Sequence, residues 1–335
     1  MMKTKDIILD LRKKHALSQE EMAQKLFVTR QAVSRWETGE TVPNIETLRL
    51  ISRIFDVSIN TLVDENILYD IENDKLNADR FLGFAKLYES SRPTVPNQVC
   101  AFLLDYLEKK PTHIVDLGCG TGLSTLVWQD KCDSIIGIDP SCDMLSIAEG
   151  KRSSNIQFKQ AYSDNTGLPN DFADIVICSQ SFHWMNPVDT LKEVNRILRK
   201  GGVFATVDCD WPPVANWKAE AAYSVLLNKV RMIESELEDI KKTFHRWEKE
   251  YHLKNIKESG YFRYCREIVF SNKEKCNADR FIGIALSQGG LQTILKTNPK
   301  LIETDILHFQ NKINKIYGDE EFEITFCYRM RVGIK

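Results

Sequence analysis

Apolar residues along this chain keep two different periods. Through residues 1–66 they recur at helical spacing, with a start signal before each group. Ile7, Ile8 and Leu11 form the first stripe. Ser18, with Glu21 three residues on, predicts a capping box ahead of Met22, Ala23 and Leu26. Thr29 should cap a helix over residues 30–37, and Gly39 should stop it. Asn44 opens a fourth helix with Ile45, Leu48, Ile51 and Ile54 inward, and Ser58 a fifth, short one through Leu62. Beyond residue 113 the apolar positions form short runs instead: 114–117, 135–138, 157–161, 174–179 and 203–207. Such runs, alternating with helical stretches, predict strands of a parallel sheet covered on both faces. Residues 323–332 alternate and should add an antiparallel strand. Residues 191–198 read as a helix that Lys200-Gly201-Gly202 turns into the strand at 203.

Three regions follow from this pattern. Residues 1–66 form a helical domain, residues 67–76 (rich in Asn and Asp) a linker, and residues 77–335 the main body, with a helical insert over about 214–262. A chain of 335 residues suits two domains. Net charge of −2 offers no global attraction to nucleic acid or membrane. No apolar run approaches the ~20 residues of a membrane span, and the opening Met-Met-Lys-Thr-Lys does not read as a signal peptide. Nine cysteines without a C-x-x-C pair argue against zinc and against a disulfide framework, and suit a reducing cytoplasm. No metal site is expected.

The most specific signal is Val115-Asp116-Leu117-Gly118-Cys119-Gly120-Thr121-Gly122. An apolar strand ends in three alternate glycines and opens a helix, which brings bare N–H groups and a positive helix end to one point. The third glycine comes one residue earlier than in a nicotinamide fingerprint, and Asp116 would repel a pyrophosphate but attract an ammonium. Asp139 ends the next apolar run, 17 residues past Gly122, at ribose distance. This segment resembles the first motif of class I S-adenosylmethionine (SAM) dependent methyltransferases. The resemblance implies a Rossmann-like methyltransferase sheet with SAM as cofactor. It would be held by Asp116, Gly118, Cys119, Gly120 and Gly122, by Asp139 and Pro140 at the ribose, and by Met144, Ser163 and Asp164 around the adenine. Ser179, at the end of the fourth strand, would also face the cofactor. In this kind of enzyme a segment like Tyr88 to Arg92-Pro93 lies over the cofactor, with Arg92 against its carboxylate.

The stretch Thr166-Gly167-Leu168-Pro169 to His183-Trp184 resembles small-molecule methyltransferases of the type 11, ubiquinone-biosynthesis and trans-aconitate kind. It implies a small-molecule methyl acceptor bounded by His183 and Trp184, with His183 the one candidate base. The Asn/Asp-Pro-Pro-aromatic motif of adenine-N6 enzymes is missing: Ser179-Gln180-Ser181-Phe182 stands in its place. An alternative is a regulator whose methyltransferase fold senses SAM without turnover. His245 and His252 read as part of a solvated face. The words Asn77-Ala78-Asp79-Arg80-Phe81 and Asn277-Ala278-Asp279-Arg280-Phe281 repeat without a wider match.

In the helical domain, Ala32, Val33 and Trp36 can face inward while Arg30, Gln31, Ser34 and Arg35 stay outside. These outer residue types bond base edges and phosphates. Gln19 and Thr29 stand at the starts of the two helices, where they would lie beside a DNA backbone. Residues 6–64 resemble Cro/repressor-type helix-turn-helix domains, which implies duplex DNA as partner and a homodimer. Ten basic and ten acidic side chains leave residues 1–66 neutral, so phosphate affinity must come from local clustering. The expected whole is an α/β Rossmann-like sheet with helical inserts behind an all-α helix-turn-helix domain.

Overall fold

The computed structural model describes residues 4–15, 17–55, 57, 62, 76–77, 80, 82–237, 240 and 244–335, the side chain of Ile45 excepted. The short fifth helix from Ser58 and nearly all of the linker lie outside the described residues. The chain divides into two compact units, residues 1–73 and 74–335.

In the first unit, α1 (Thr4–Lys14), α2 (Gln19–Lys25), α3 (Arg30–Thr38) and α4 (Ile45–Ile54) enclose a small core. Each start signal does what its chemistry allows. Ser18 Oγ accepts the Glu21 N–H at 3.1 Å while Glu21 Oε2 accepts the Ser18 N–H at 2.7 Å. Thr29 Oγ1 accepts from Ala32 N at 3.2 Å, and Asn44 Oδ1 from Thr47 N at 2.8 Å. Gly39 ends α3 at φ +79°, a conformation open to glycine, with Lys5 packed where a Cβ would stand. Ile8, Met22, Val33, Trp36, Leu48 and Ile51 are buried together. Ile54, expected inward, is instead 38% exposed at the helix end.

The second unit is built on one sheet. The described strands are β1 (His113–Leu117), β2 (Ser134–Asp139), β3 (Ile156–Gln160), β4 (Ala173–Ser179), β5 (Leu198–Cys209), β6 (Tyr264–Cys276) and β7 (Phe322–Ile334). Their order is β3-β2-β1-β4-β5-β7-β6, with β7 antiparallel to both neighbours and the rest parallel. Side chains alternate between two cores: Ile114, Ile175, Ile177 and Ala205 face one, Val115, Leu117, Val176 and Phe204 the other. The order reverses between β1 and β4, which opens a crevice at their carboxyl ends.

Helices cover both faces. In chain order they are α5 (Ala85–Ser91), α6 (Asn97–Leu107), α7 (Leu123–Leu126), α8 (Cys142–Ala148), α9 (Pro187–Ile197), α10 (Trp217–Glu236), α11 (His252–Glu258), α12 (Ala278–Leu286), α13 (Gly289–Thr297) and α14 (Glu303–Tyr317). The last three fill the connection between β6 and β7 and pack on α10 through Tyr223, Phe281, Ile294 and Phe309.

Two expectations change. The Gly-Gly pair does not precede the fifth strand but lies inside it: β5 starts at Leu198, straight after α9, and its register to β4 shifts between the Ala173 and Ile175 pairs. Gly201 at φ +78° absorbs the bulge. Strand β6, unforeseen, pairs along its whole length with β7. The glycines that follow the two repeated words differ in setting. Asn277 caps α12 through Oδ1 and Gly283 lies within that helix, whereas Gly83 sits in a turn at φ +84°.

Candidate active site

The carboxyl ends of β1, β2, β4 and β5 open on a cavity of about 820 Å³ roofed by α10, α13 and the segment around Lys249. Gly118, Cys119 and Gly120 form one wall, whereas Gly122 is outside the lining and faces Phe158. Gly118, Gly120 and Gly122 all have positive φ, +68°, +55° and +86°. A Cβ on Gly118 would stand 2.4 Å from that of Ser181, so no larger residue fits between β1 and the turn after β4. The N–H groups of Gly118 and Cys119 donate to Ile138 O at 2.7 and 3.1 Å.

Asp139 closes this arrangement. Its Oδ2 accepts from Gly120 N at 2.9 Å and its Oδ1 from Ser141 N at 2.8 Å. Burial pushes its pKa up to about 6, against the pull of the two N–H groups. Pro140, Met144, Tyr162 and Ser163 line the same end, Ser163 Oγ lying 2.9 Å from Thr190 Oγ1. Asp164, one residue on, is exposed and outside the lining.

Asp116 does not line the cavity either. Its Oδ2 accepts from Ser124 Oγ at 2.6 Å and Thr125 Oγ1 at 2.7 Å, which fixes the start of α7. Burial raises this carboxyl to about 6, while those hydroxyls lower it. Its influence reaches the cavity through Ser124, a lining residue that the motif did not single out. Arg92 lines the cavity, packed over Tyr88 and Trp211, with Nη2 donating to Ser287 O at 3.0 Å and Gln288 Oε1 at 3.3 Å.

Beyond Ser179 the chain turns at Gln180, at φ +57°, and runs into the short helical turn Phe182–Trp184. His183 and Trp184 line the cavity from there. His183 is buried, with Nδ1 3.7 Å from Asp208 Oδ1 and without a hydrogen bond. Burial, and then the Lys249 charge, push its pKa well below the ordinary histidine value. Asp208, on β5, is the hub of this region. It takes Lys249 Nζ at 2.9 Å, Arg331 Nη1 at 2.8 Å and His252 Nδ1 at 3.1 Å. Burial alone would raise the Asp208 pKa, but Lys249 and the two histidines hold it well below the carboxylate range. The solvated-face reading of His252 is thus overturned: it is fully buried, edge-on to Phe182 and bonded to Asp208. His245 is not on its helix, and its backbone N–H donates to Asn77 Oδ1 at 2.9 Å.

Of the residues that sequence reading missed, Asp208, Lys249, Arg80 and Glu234 matter most. Arg80 and Glu234 form a buried pair at 2.6 Å across 154 positions of chain. Nothing local marks such pairs.

In the first unit, Thr29, Arg30, Gln31 and Arg35 are exposed and Ser34 half-buried. Arg35 Nε lies 3.7 Å from Glu40. Gln19 departs from expectation: its Nε2 donates to Glu37 Oε2 at 2.8 Å, and Glu37 also takes Arg12 Nη2 at 3.0 Å. The residue ties α2 to α3.

Comparison with known proteins agrees with this geometry. Residues 115–206 match the family described as a methyltransferase domain, and residues 8–62 match a helix-turn-helix family. A probable S-adenosylmethionine-dependent methyltransferase of Saccharomyces cerevisiae is 33% identical over 124 residues, covering 35% of this chain and 43% of its own length. An uncharacterized methyltransferase of Schizosaccharomyces pombe is 26% identical over 254 residues, 71% of this chain and 95% of that one. The chain thus spans under half of the first relative and nearly all of the second. A solved structure from Anaeromyxobacter dehalogenans, assigned as a type II methyltransferase, superposes with a TM-score of 0.52 at 18% identity, over 72% of this chain and 97% of that one. Fold and loop together define a methyltransferase domain of the class I, Rossmann-like kind. The chain joins that domain to an N-terminal helix-turn-helix segment. Among the described residues no helix is long and apolar enough to cross a membrane.

Proposed function

We propose that residues 77–335 bind SAM and transfer its methyl group to a small molecule, and that residues 1–66 bind duplex DNA as a homodimer. The observation that carries the first part is Asp139. It pins the glycine turn yet keeps a face on the cavity, with lone pairs left for two hydroxyls. The bare loop at Gly118–Gly120 suits a bulky polar group at the strand end, and Arg92 suits a carboxylate. When bound, SAM supplies an activated methyl group, so the protein contributes alignment and exclusion of water.

The residues divide that work. Met144 and Pro140 bound the adenine side. Trp184 and His183 bound the acceptor side, and Lys249 with Gln180 closes over the end of β4, Nζ lying 3.4 Å from Gln180 Oε1. His183 is neutral in this setting, and its low pKa makes it a weak base, so its better-supported role is that of a wall with one ring nitrogen. A cavity of about 820 Å³ is near the upper end of the ~300–1,000 Å³ of small-molecule sites. That space suits a cofactor and an acceptor together, and favours turnover over sensing alone. Free thiols, most of them buried, support a cytoplasmic protein. The test is incubation of the full chain with methyl-labelled SAM and a metabolite extract. Label in an extractable small molecule supports the reading. Label on duplex DNA alone, or no transfer with intact SAM binding, refutes it.

A further inference from the structure

The glycine loop and Asp139 account for one end of the cavity. At the other end lie buried donors with nothing to bond. Arg80 is 5% exposed. Its Nη2 donates to Glu234, and its guanidinium packs over the rings of Phe244 at 4.0 Å and Trp184 at 5.1 Å. Its Nε and Nη1 have no hydrogen-bond partner among the described residues. Arg92 repeats the pattern: Nη2 is spent on Ser287 and Gln288, and Nε is buried and unpartnered. Buried donors are almost always paired, so a group of them inside a cavity calls for an acceptor from outside the chain.

Both arginines converge on the start of α13. Its cap residue Gln288 gives no side-chain cap bond, and its first two residues are Gly289 and Gly290. All three line the cavity, as do Arg80 and Arg92. A Cβ on Gly289 would stand 2.9 Å from Arg80 Nε, so the guanidinium lies directly against the bare helix start. A helix start carries open N–H groups and partial positive charge. Glu234 offsets one of these charges, its Oε1 lying 2.5 Å from where a Gly290 Cβ would stand, while Arg246 adds another near Arg80.

We propose that the start of α13, with Arg80 against it, is a subsite for an anionic group of the methyl acceptor, a carboxylate or phosphate set apart from the reacting atom. With Nη2 taken by Glu234, the free Nε–H and Nη1–H of Arg80 are separate donors, each able to bond one oxygen of either group. The subsite rests on the methyltransferase reading and selects among acceptors within it. It would set which acceptors enter, leaving the methyl-transfer geometry to the strand ends.

The test uses the full chain saturated with S-adenosylhomocysteine and titrated by calorimetry with inorganic phosphate and with succinate. Saturable binding of either is expected, weakening as salt rises. Gly289→Ala puts a methyl group 2.9 Å from Arg80 Nε and forces the guanidinium off the helix start. It should weaken anion binding by at least about tenfold, the loss of one charge-assisted bond, with S-adenosylhomocysteine affinity unchanged. The double change Arg80→Met with Glu234→Gln should do the same without stranding a buried acid. Equal anion affinity in wild type and Gly289→Ala overturns the proposal. So does anion binding seen with 5′-methylthioadenosine but lost with S-adenosylhomocysteine, because the donors then serve the cofactor's own carboxylate. No anion binding in a protein that still takes S-adenosylhomocysteine removes the subsite and leaves the methyltransferase reading standing. Failure to bind S-adenosylhomocysteine at all removes both.

Discussion

Asp139, at the end of β2, accepts the Gly120 N–H at 2.9 Å, so one carboxylate holds the glycine turn of the neighbouring strand while it faces the cavity. Its other oxygen takes the Ser141 N–H at the start of α8. The acid therefore joins β1, β2 and α8 at one point. A carboxylate has about four acceptor sites, and two backbone bonds leave two for a ligand.

Removing that carboxylate should therefore weaken cofactor binding. Asp139→Ala should cost about 2–4 kcal/mol of SAM affinity, since each charge-assisted bond contributes ~1.5–3 kcal/mol. Asp139→Asn, which keeps an acceptor for Gly120, should lose less. Titration calorimetry gives both values, and equal affinity in wild type and Asp139→Ala would remove Asp139 from the cofactor site.

Asp116 offers a prediction about pH. Its carboxyl is raised to about 6 by burial. A group raised in the fold contributes stability that is fully present below its unfolded pKa and lost as pH rises through the folded value. The loss for Asp116 should fall between about pH 4 and 6 and reach about 3 kcal/mol, the worth of a shift of that size. Asp116→Asn keeps an oxygen for Ser124 and Thr125 and carries no charge to bury. Its stability relative to wild type should rise with pH across that window, as read from denaturant unfolding at several pH values. Asp208 runs the opposite way, but it is present in both proteins and cancels. A difference independent of pH would show that Asp116 ionises without penalty.

What the sequence could reveal depended on how local each signal is. The Ser18–Glu21 box, the Thr29 cap and the glycine loop are each complete within a few residues, and each appears where its chemistry places it. Strands β1, β2, β4 and β5 announce themselves because both faces are largely buried, while β3 alternates buried and exposed positions. Strand β6 does not: as the edge strand it has one face exposed and the other only half-buried, with apolar Val269 61% exposed and Glu267, Asn272 and Glu274 on half-buried positions, so the sequence shows neither an apolar run nor an apolar–polar alternation. The bonding of His252 to Asp208 joins residues 44 positions apart, and that of Arg80 to Glu234 joins residues 154 apart. Only the folded sheet brings them together. The Gly201-Gly202 pair was visible as a turn signal, but its use inside β5 depends on pairing with β4.

The setting of His183 predicts a flat pH response. Burial and Lys249 hold its pKa well below the ordinary value, so the ring should stay neutral through the range where most histidines charge. Methyl transfer should show no inflection near pH 6.5. Lys249→Met removes a cation whose charge lowers the His183 pKa, and should raise that pKa. NMR titration of the His183 ring follows the shift directly. An unchanged titration in Lys249→Met would mean that burial alone sets the value.

The DNA-binding reading turns on the outward face of α3. Arg30, Gln31 and Arg35 are exposed there, just past the Thr29 cap, while Val33 and Trp36 hold the helix to its core. The pairing of Arg35 with Glu40 is long and solvent-exposed, so little is lost when a phosphate or base takes its place. We expect Gln31→Ala and Arg35→Ala to cost ~1–3 kcal/mol each if they read bases, and to relax specificity at one position. A lost phosphate contact would instead weaken all sequences alike and flatten the salt slope. Gln19→Ala is the control. Its side chain bonds Glu37, so its loss should appear in the stability of residues 1–66 before it appears in specificity. The module's neutral net charge makes non-specific affinity low, and two half-sites about one helical turn apart supply what one cannot. Selection on random duplexes followed by footprinting should therefore yield a palindrome protected on both halves. A protein that is monomeric and protects a single half-site, or that enriches no sequence, would show that the helix-turn-helix fold serves another contact in this chain.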